Sequence, residues 1–168
     1  MFKVCDEAVA LILQHEGLNQ PDRWPGGFSG ITIGIGYDLG YVTVDQFESD
    51  WGSYISRLNI DKLRVAVGLR GMRAKNKAEE FVGTRIRRVD AEQVFTLKTL
   101  PLFAFRANQA FPCFDKLPEK AQGALVSLVY NRGTSMVDRP GEDRRKEMRA
   151  IRDAVVQGDL SEIAAQLR

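Results

Sequence analysis

The chain has 168 residues, 44% hydrophobic and 27% charged, enough for one globular domain with a sizeable core and unlike a disordered or collagen-like chain. With 24 basic against 22 acidic residues the net charge is +2, which suits an anionic polymer or surface without demanding nucleic acid. Two cysteines, Cys5 and Cys113, are too far apart in sequence for a zinc ribbon or a CxxC motif, and free thiols are expected.

Asp6 and Glu7 interrupt the basic start and apolar core of a secretory leader, and no run approaches the ~18 apolar residues of a membrane span. A target outside the cell would require a separate delivery device. Residues 6–16 read as a helix, with Val9, Ile12, Leu13 and Glu16 on one face and Gly17 as its stop. Residues 19–30 collect Asn, Pro, Asp, Gly and Ser, the chemistry of a loop. Ile31, Ile33 and Ile35 then alternate, so residues 30–36 read as a strand.

Beyond Asp38 the pattern predicts helices over 44–56, 60–69, 75–82, 90–109, 118–131, 144–157 and 160–168. Thr43 and Gln46 have capping-box spacing. Pro118 suits a first helical turn, Gly133 a stop, and Pro101 a kink or split. The expected fold is α+β and mostly α: a single domain over 1–168, with a small β-containing lobe at about 17–43 beside a helical lobe of about 1–16 and 60–168.

Glu16 ends the first helix on its apolar face. Burial and the partial negative charge of the helix end would both raise its pKa and suit a general acid. The alternative is a solvated helix-end glutamate. In an extended chain Thr32, Gly34, Gly36 and Asp38 share one side, and the two glycines leave bare backbone for a flat ligand. Thr32 and Asp38 can cooperate only if Gly34-Ile35-Gly36 turns. The structural alternative is a tight hairpin with an aspartate at a helix start. Gly34 to Gly40 misses the dinucleotide fingerprint by one residue and lacks a βαβ unit. His15 is the only histidine, so neither a HExxH site nor a serine triad fits, and no metal or cofactor is expected. The basic runs at Arg85, Arg87 and Arg88 and at Arg144, Arg145, Lys146 and Arg149 are interspersed with acids and read as solvated faces.

His15-Glu16-Gly17, a loop, and Thr32-Ile33-Gly34-Ile35-Gly36 resemble the phage-type lysozymes, also called endolysins or muramidases. Ala124 to Gly133 resembles the family's long core helix, whose end lines its cleft. Many members carry the catalytic aspartate six residues before the threonine, where this chain has Gly26. Asp38 instead stands six residues after Thr32, which resembles the pesticin-like branch of bacterial toxins.

The resemblance implies Glu16 as general acid, Thr32 as water-positioning residue and Asp38 as second carboxylate, with Asp22 as the competing candidate. Gly34, Gly36, Tyr37 and Asn131 are the expected substrate contacts. The implied activity is hydrolysis of peptidoglycan, probed by carboxyl spacing: roughly 6.5–9.5 Å for inversion, roughly 5–5.5 Å for retention. Inversion is favoured by the resemblance. A glycan-binding relative without turnover is the alternative. A monomer is expected, acting in the periplasm or cell wall after holin release or injection, with an immunity protein as partner if it is a toxin and no nucleic-acid partner.

Overall fold

The computed structural model describes residues 4–167. Residues 1–3, at the start of the stretch read for a leader, and residue 168, the last of the final expected helix, lie outside them. The fold is α+β and mostly α, as expected, with one two-stranded antiparallel sheet. In chain order the elements are α1 (Asp6–His15), β1 (Thr32–Ile33), β2 (Tyr37–Asp38), α2 (Val44–Trp51), α3 (Arg57–Leu63), α4 (Met72–Ala78), α5 (Arg88–Val94), α6 (Leu100–Ala110), α7 (Glu119–Arg132), α8 (Lys146–Gln157) and α9 (Leu160–Gln166).

Local chemistry sets most of the boundaries. Thr43 Oγ1 accepts from the Gln46 N–H at 3.2 Å and starts α2. The Gln46 side chain donates to Asp50 instead of reaching back, so only half of the capping box forms. Pro118 occupies the N-cap of α7, and Gly133 ends that helix at φ +70°, its N–H donating to the Val129 carbonyl at 2.9 Å. The helix expected over 90–109 is divided by a π-turn at Phe95–Thr99. Pro101 has no N–H to offer the Leu97 carbonyl, and the wider turn just before it reroutes the ladder.

The strand expected over 30–36 is a hairpin. Gly34 and Gly36, at φ +60° and +61°, turn the chain around Ile35 and return Tyr37 and Asp38 beside β1. The register pairs Thr32 with Asp38 and Ile33 with Tyr37. The alternating isoleucines are all buried, so the periodicity marked the core even where the chain turns.

The described residues divide into two compact units: 13–99, and 4–12 with 100–167. The first holds the hairpin and α2–α5 around fully buried Phe47, Trp51, Ile31, Ile33 and Leu39. The β-containing lobe drawn at 17–43 is thus one piece of a unit that also takes in α2–α5. In the second unit α6 packs on α7 and α8 on α9, over Phe111, Phe114, Leu125 and Ile151. Cys5 and Cys113 are free. Among the described residues no helix is long and apolar enough to cross a membrane.

Candidate active site

Glu16 is the first residue past α1 and is half-buried. A helix C-terminus leaves carbonyls without partners. Arg88, at the start of α5, supplies them: Nη2 donates to the Leu13 carbonyl at 2.9 Å and Nη1 to the Glu16 carbonyl at 3.4 Å. Glu92 fixes the same guanidinium through Nε at 2.6 Å. These contacts hold the Glu16 main chain and leave its carboxyl out.

Three residues on, Asn19 joins the hairpin turn. Its N–H donates to the Gly34 carbonyl at 2.7 Å, its carbonyl accepts from the Gly34 N–H at 3.0 Å, and its Oδ1 accepts from the Gly36 N–H at 3.1 Å. The Gln20 side chain exchanges two hydrogen bonds with the Ile86 main chain, at 3.0 and 2.9 Å. The chain leaving Glu16 is therefore laid between the hairpin turn and the segment that delivers Arg88.

Thr32 and Asp38 stand directly opposite one another. The adjacent pair carries the ladder bond, from the Leu39 N–H to the Ile31 carbonyl at 2.8 Å. By alternation Thr32 and Asp38 form a non-hydrogen-bonded pair, in which Cβ atoms approach to roughly 4.5–5.5 Å. The Gly34-Ile35-Gly36 turn that their cooperation requires is present.

The Asp38 carboxylate is clamped by main-chain donors. The Gly30 N–H reaches Oδ1 and Oδ2 at 3.0 and 3.1 Å, and the Gly40 N–H reaches Oδ1 at 2.8 Å. Oδ1 thus has two donors and Oδ2 one, which leaves Oδ2 with more free acceptor capacity. Main-chain donors of this kind favour the charged form of a carboxylate. Burial raises the Asp38 pKa above the ordinary carboxylate value, and the Gly40 and Gly30 N–H groups and the Arg70 charge only partly offset it. Asp38 also caps the 3-10 turn Leu39–Tyr41, as the structural alternative for this residue expects.

Several expected contacts are redirected. Tyr37 is only 8% exposed, and its hydroxyl donates to Asp50 Oδ2 at 2.8 Å. It supports the hairpin from inside, because alternation turns it away from the Thr32 and Asp38 side. Gly34 is buried too: a Cβ there would meet the Trp51 ring at 2.6 Å. The bare strip imagined for a flat ligand is therefore closed at Gly34 by Trp51, and only Gly36 is exposed. Asp22 pairs with Arg85 at 2.7 Å rather than with neighbouring Arg23.

Asn131 belongs to the other unit. It is exposed on the last turn of α7, where its Nδ2 donates to the Ser127 carbonyl at 3.0 Å. It lines an open hollow of about 1120 Å³ with residues between Arg132 and Glu147.

His15 is exposed. Among the described residues no three His, Cys, Asp or Glu side chains gather as a metal-ligand set. The basic runs are interleaved with acids: Arg87 forks onto Asp90 at 2.6 and 2.7 Å, and Arg149 reaches Asp138 and Asp143 at 2.6 and 2.7 Å. Sequence reasoning missed Gly30, Asn19 and Arg88. Gly30 has no local signal. A Cβ there would strike Asp38 Oδ1 and the Gly40 nitrogen, which are remote partners. Arg88 had a partial one, Glu92 at i+4.

A comparison with the curated proteins finds no match. A family model for pesticin, described as a bacterial toxin homologue of phage lysozyme, C-terminal part, matches residues 9–142. That span runs from α1 through the hairpin and all of α7, and it contains Glu16, Thr32, Asp38 and Asn131. The chain therefore belongs to the pesticin family of lysozyme-like bacterial toxin domains.

Proposed function

We propose that the protein is a muramidase that hydrolyses the β-1,4 bond between N-acetylmuramic acid and N-acetylglucosamine in peptidoglycan. The observation that carries this reading is the pairing of Thr32 with Asp38 on a hairpin that Asn19 ties to the segment leaving Glu16. Glu16 protonates the leaving glycosidic oxygen. Asp38, held by Gly30 and Gly40, takes a proton from water at its less occupied Oδ2. Its raised pKa makes it a stronger base than an ordinary carboxylate. Thr32, directly across, orients that water through its hydroxyl. Attack by water on the face opposite the leaving group gives inversion.

No residue in this scheme needs a metal or organic cofactor. The substrate lies in the periplasm or cell wall, and holin release or injection by a partner system carries the protein there. A toxin of this kind is paired with an immunity protein in its producer.

The test is turbidity loss of purified sacculi with reducing-end analysis of the products. Wild-type protein should release new muramic acid reducing ends, with inverted configuration in the first product. Glu16→Gln keeps the shape and removes the transferable proton. Its activity should fall by about 10²–10⁴-fold or more. New glucosamine ends or freed peptides would replace the bond assignment. Sacculus binding without turnover by the wild type would leave a glycan-binding protein.

A further inference from the structure

We propose that the surface just beyond Asp38 is a saccharide subsite, in which the Tyr41 and Phe28 rings receive the apolar face of a sugar and Arg70 receives a carboxylate on the same strand. This inference rests on the reading of the protein as a peptidoglycan hydrolase and assigns it a substrate contact outside the catalytic pair.

Among the described residues Trp51, Phe47, Phe81, Phe95, Phe111 and Phe114 have fully buried rings. Phe28, Tyr41 and Phe105 are exposed instead, at 86%, 62% and 51%, and the first two are joined by a hydrogen bond. The Tyr41 hydroxyl donates to the Phe28 carbonyl at 3.3 Å, so the Phe28 main chain meets the phenol end of Tyr41. The Arg70 guanidinium lies over the Tyr41 ring, 5.0 Å from its centroid. Its planar cation shields one face of the ring and orients it.

The patch is built, not incidental. Asp38 caps the 3-10 turn Leu39–Tyr41, so Tyr41 sits at the far end of the turn that Asp38 begins. The Arg70 stem crosses Gly40, where a Cβ would fall 2.6 Å from Cγ. The Gly71 N–H donates to the Ser29 carbonyl at 3.0 Å. Trp24 Nε1 donates to the same carbonyl at 2.9 Å and braces the loop that ends in Phe28. Three segments, 28–30, 39–41 and 70–71, are thereby held to one another and to the Asp38 clamp.

The chemistry selects the occupant. A pyranose presents a face of C–H groups and a rim of hydroxyls, which suits a ring with one apolar body and one polar edge. Arg70 forms no salt bridge among the described residues, so its fork of donors remains for an anion. An uncharged glycan uses the rings alone. A glycan bearing lactyl or peptide carboxylates uses the rings and Arg70 together, and muramyl strands carry such groups.

Binding should be measured in the Glu16→Gln background by co-sedimentation with purified sacculi, and separately with an uncharged N-acetylglucosamine oligomer. Tyr41→Ala and Phe28→Ala should each weaken binding to both by about tenfold, the scale of losing one well-packed aromatic contact. Tyr41→Phe keeps the ring and should lose less binding than Tyr41→Ala. Arg70→Gln should weaken sacculi several-fold, spare the uncharged oligomer and flatten the salt dependence. Arg70→Lys, which keeps the charge but not the fork, should recover only part of the loss.

In the active enzyme Tyr41→Ala should raise KM more than it lowers kcat, because a ring that holds the sugar acts alike in ground and transition states. Phe28→Ala guards against misfolding, since a ring so exposed contributes little packing. Undiminished sacculus affinity in Tyr41→Ala and Phe28→Ala would overturn the subsite, whatever the hydrolysis result. Binding that is lost in these variants, in a wild-type protein that hydrolyses nothing, would uphold the subsite and overturn the muramidase reading.

Discussion

Asp38 and Asp138 are each gripped by main-chain N–H groups, yet their acidities move in opposite directions. Asp38 sits at the end of a hairpin among buried residues, and burial outweighs its two backbone donors and the Arg70 charge, so its pKa rises. Asp138 accepts from the Arg145 N–H at 2.7 Å and from Arg149 Nη1 at 2.6 Å, and the Arg149 bond outweighs desolvation, so its pKa falls. The hairpin is shaped by glycine geometry and packing against Trp51. The 136–143 segment is shaped by one arginine, which also donates to the Met136 carbonyl at 3.0 Å and to Asp143. Packing holds a carboxylate in place at the expense of its charge; pairing holds it in place by means of its charge.

The largest combined loss of stability and activity should come from breaking the packed side. Gly30→Ala pushes a methyl group into Asp38 Oδ1 and the Gly40 nitrogen. Overpacking of this kind costs about 1–3 kcal/mol. Because the carboxylate must move, sacculus hydrolysis should fall at least about 10²-fold, the scale of losing one acid–base group. A Gly30→Ala protein with near wild-type turbidity loss would detach Asp38 from the chemistry.

Asp38→Asn separates stability from activity. A carboxyl whose folded pKa exceeds its unfolded value favours the folded state below the unfolded pKa, and that contribution is lost as pH rises through the folded pKa. At neutral pH the wild type therefore carries an ionised, desolvated group, which the amide removes. The variant should melt at a higher temperature than wild type at neutral pH. The gap should close below about pH 4, where the ordinary carboxyl is protonated. Lysis should be lost at every pH. Retained lysis would leave Asp38 as a cap, since asparagine caps nearly as well.

Arg149→Ala probes the paired side, where the sign reverses. Asp138 has a lowered folded pKa, so its contribution is present above the unfolded value and is lost as pH falls through the folded one. The variant should melt lower than wild type at neutral pH, with the difference narrowing on acidification. A melting deficit independent of pH would assign Arg149 to packing. Asn131→Ala, on the rim of that hollow, should lower turnover more than melting temperature if the amide meets substrate.

The smallest effect is expected at Asp22. Its Oδ2 accepts from Arg85 Nη1, and asparagine keeps the size of the side chain and an acceptor oxygen for that arginine. Asp22→Asn should leave both lysis and melting close to wild type. A dead Asp22→Asn protein would move the site into the 19–30 loop.

Glu16, Thr32 and Asp38 could be singled out as candidates because residue spacing and a glycine-rich motif are local. So were the Thr43 cap and the Gly133 stop, each set by contacts within a few residues. The turn between Thr32 and Asp38 was readable as a requirement, from two glycines and a reach of six residues. Its register was not.

The order of residues is enough to give the class of the fold, the alternating isoleucines of the core and the short list of candidates for acid, base and water ligand. Only the folded chain shows that Tyr37 points inward to Asp50, that Trp51 covers Gly34, that Gly30 joins the clamp on Asp38, and that Arg88 holds the end of α1. The physical reason is distance along the chain: Arg88 lies 72 residues from Glu16. Local periodicity says which face is apolar, but not which remote group will cover it. The direction of the Asp38 pKa follows from the same reason, because desolvation is set by everything that packs around a group, and the residues beside it in sequence do not specify that.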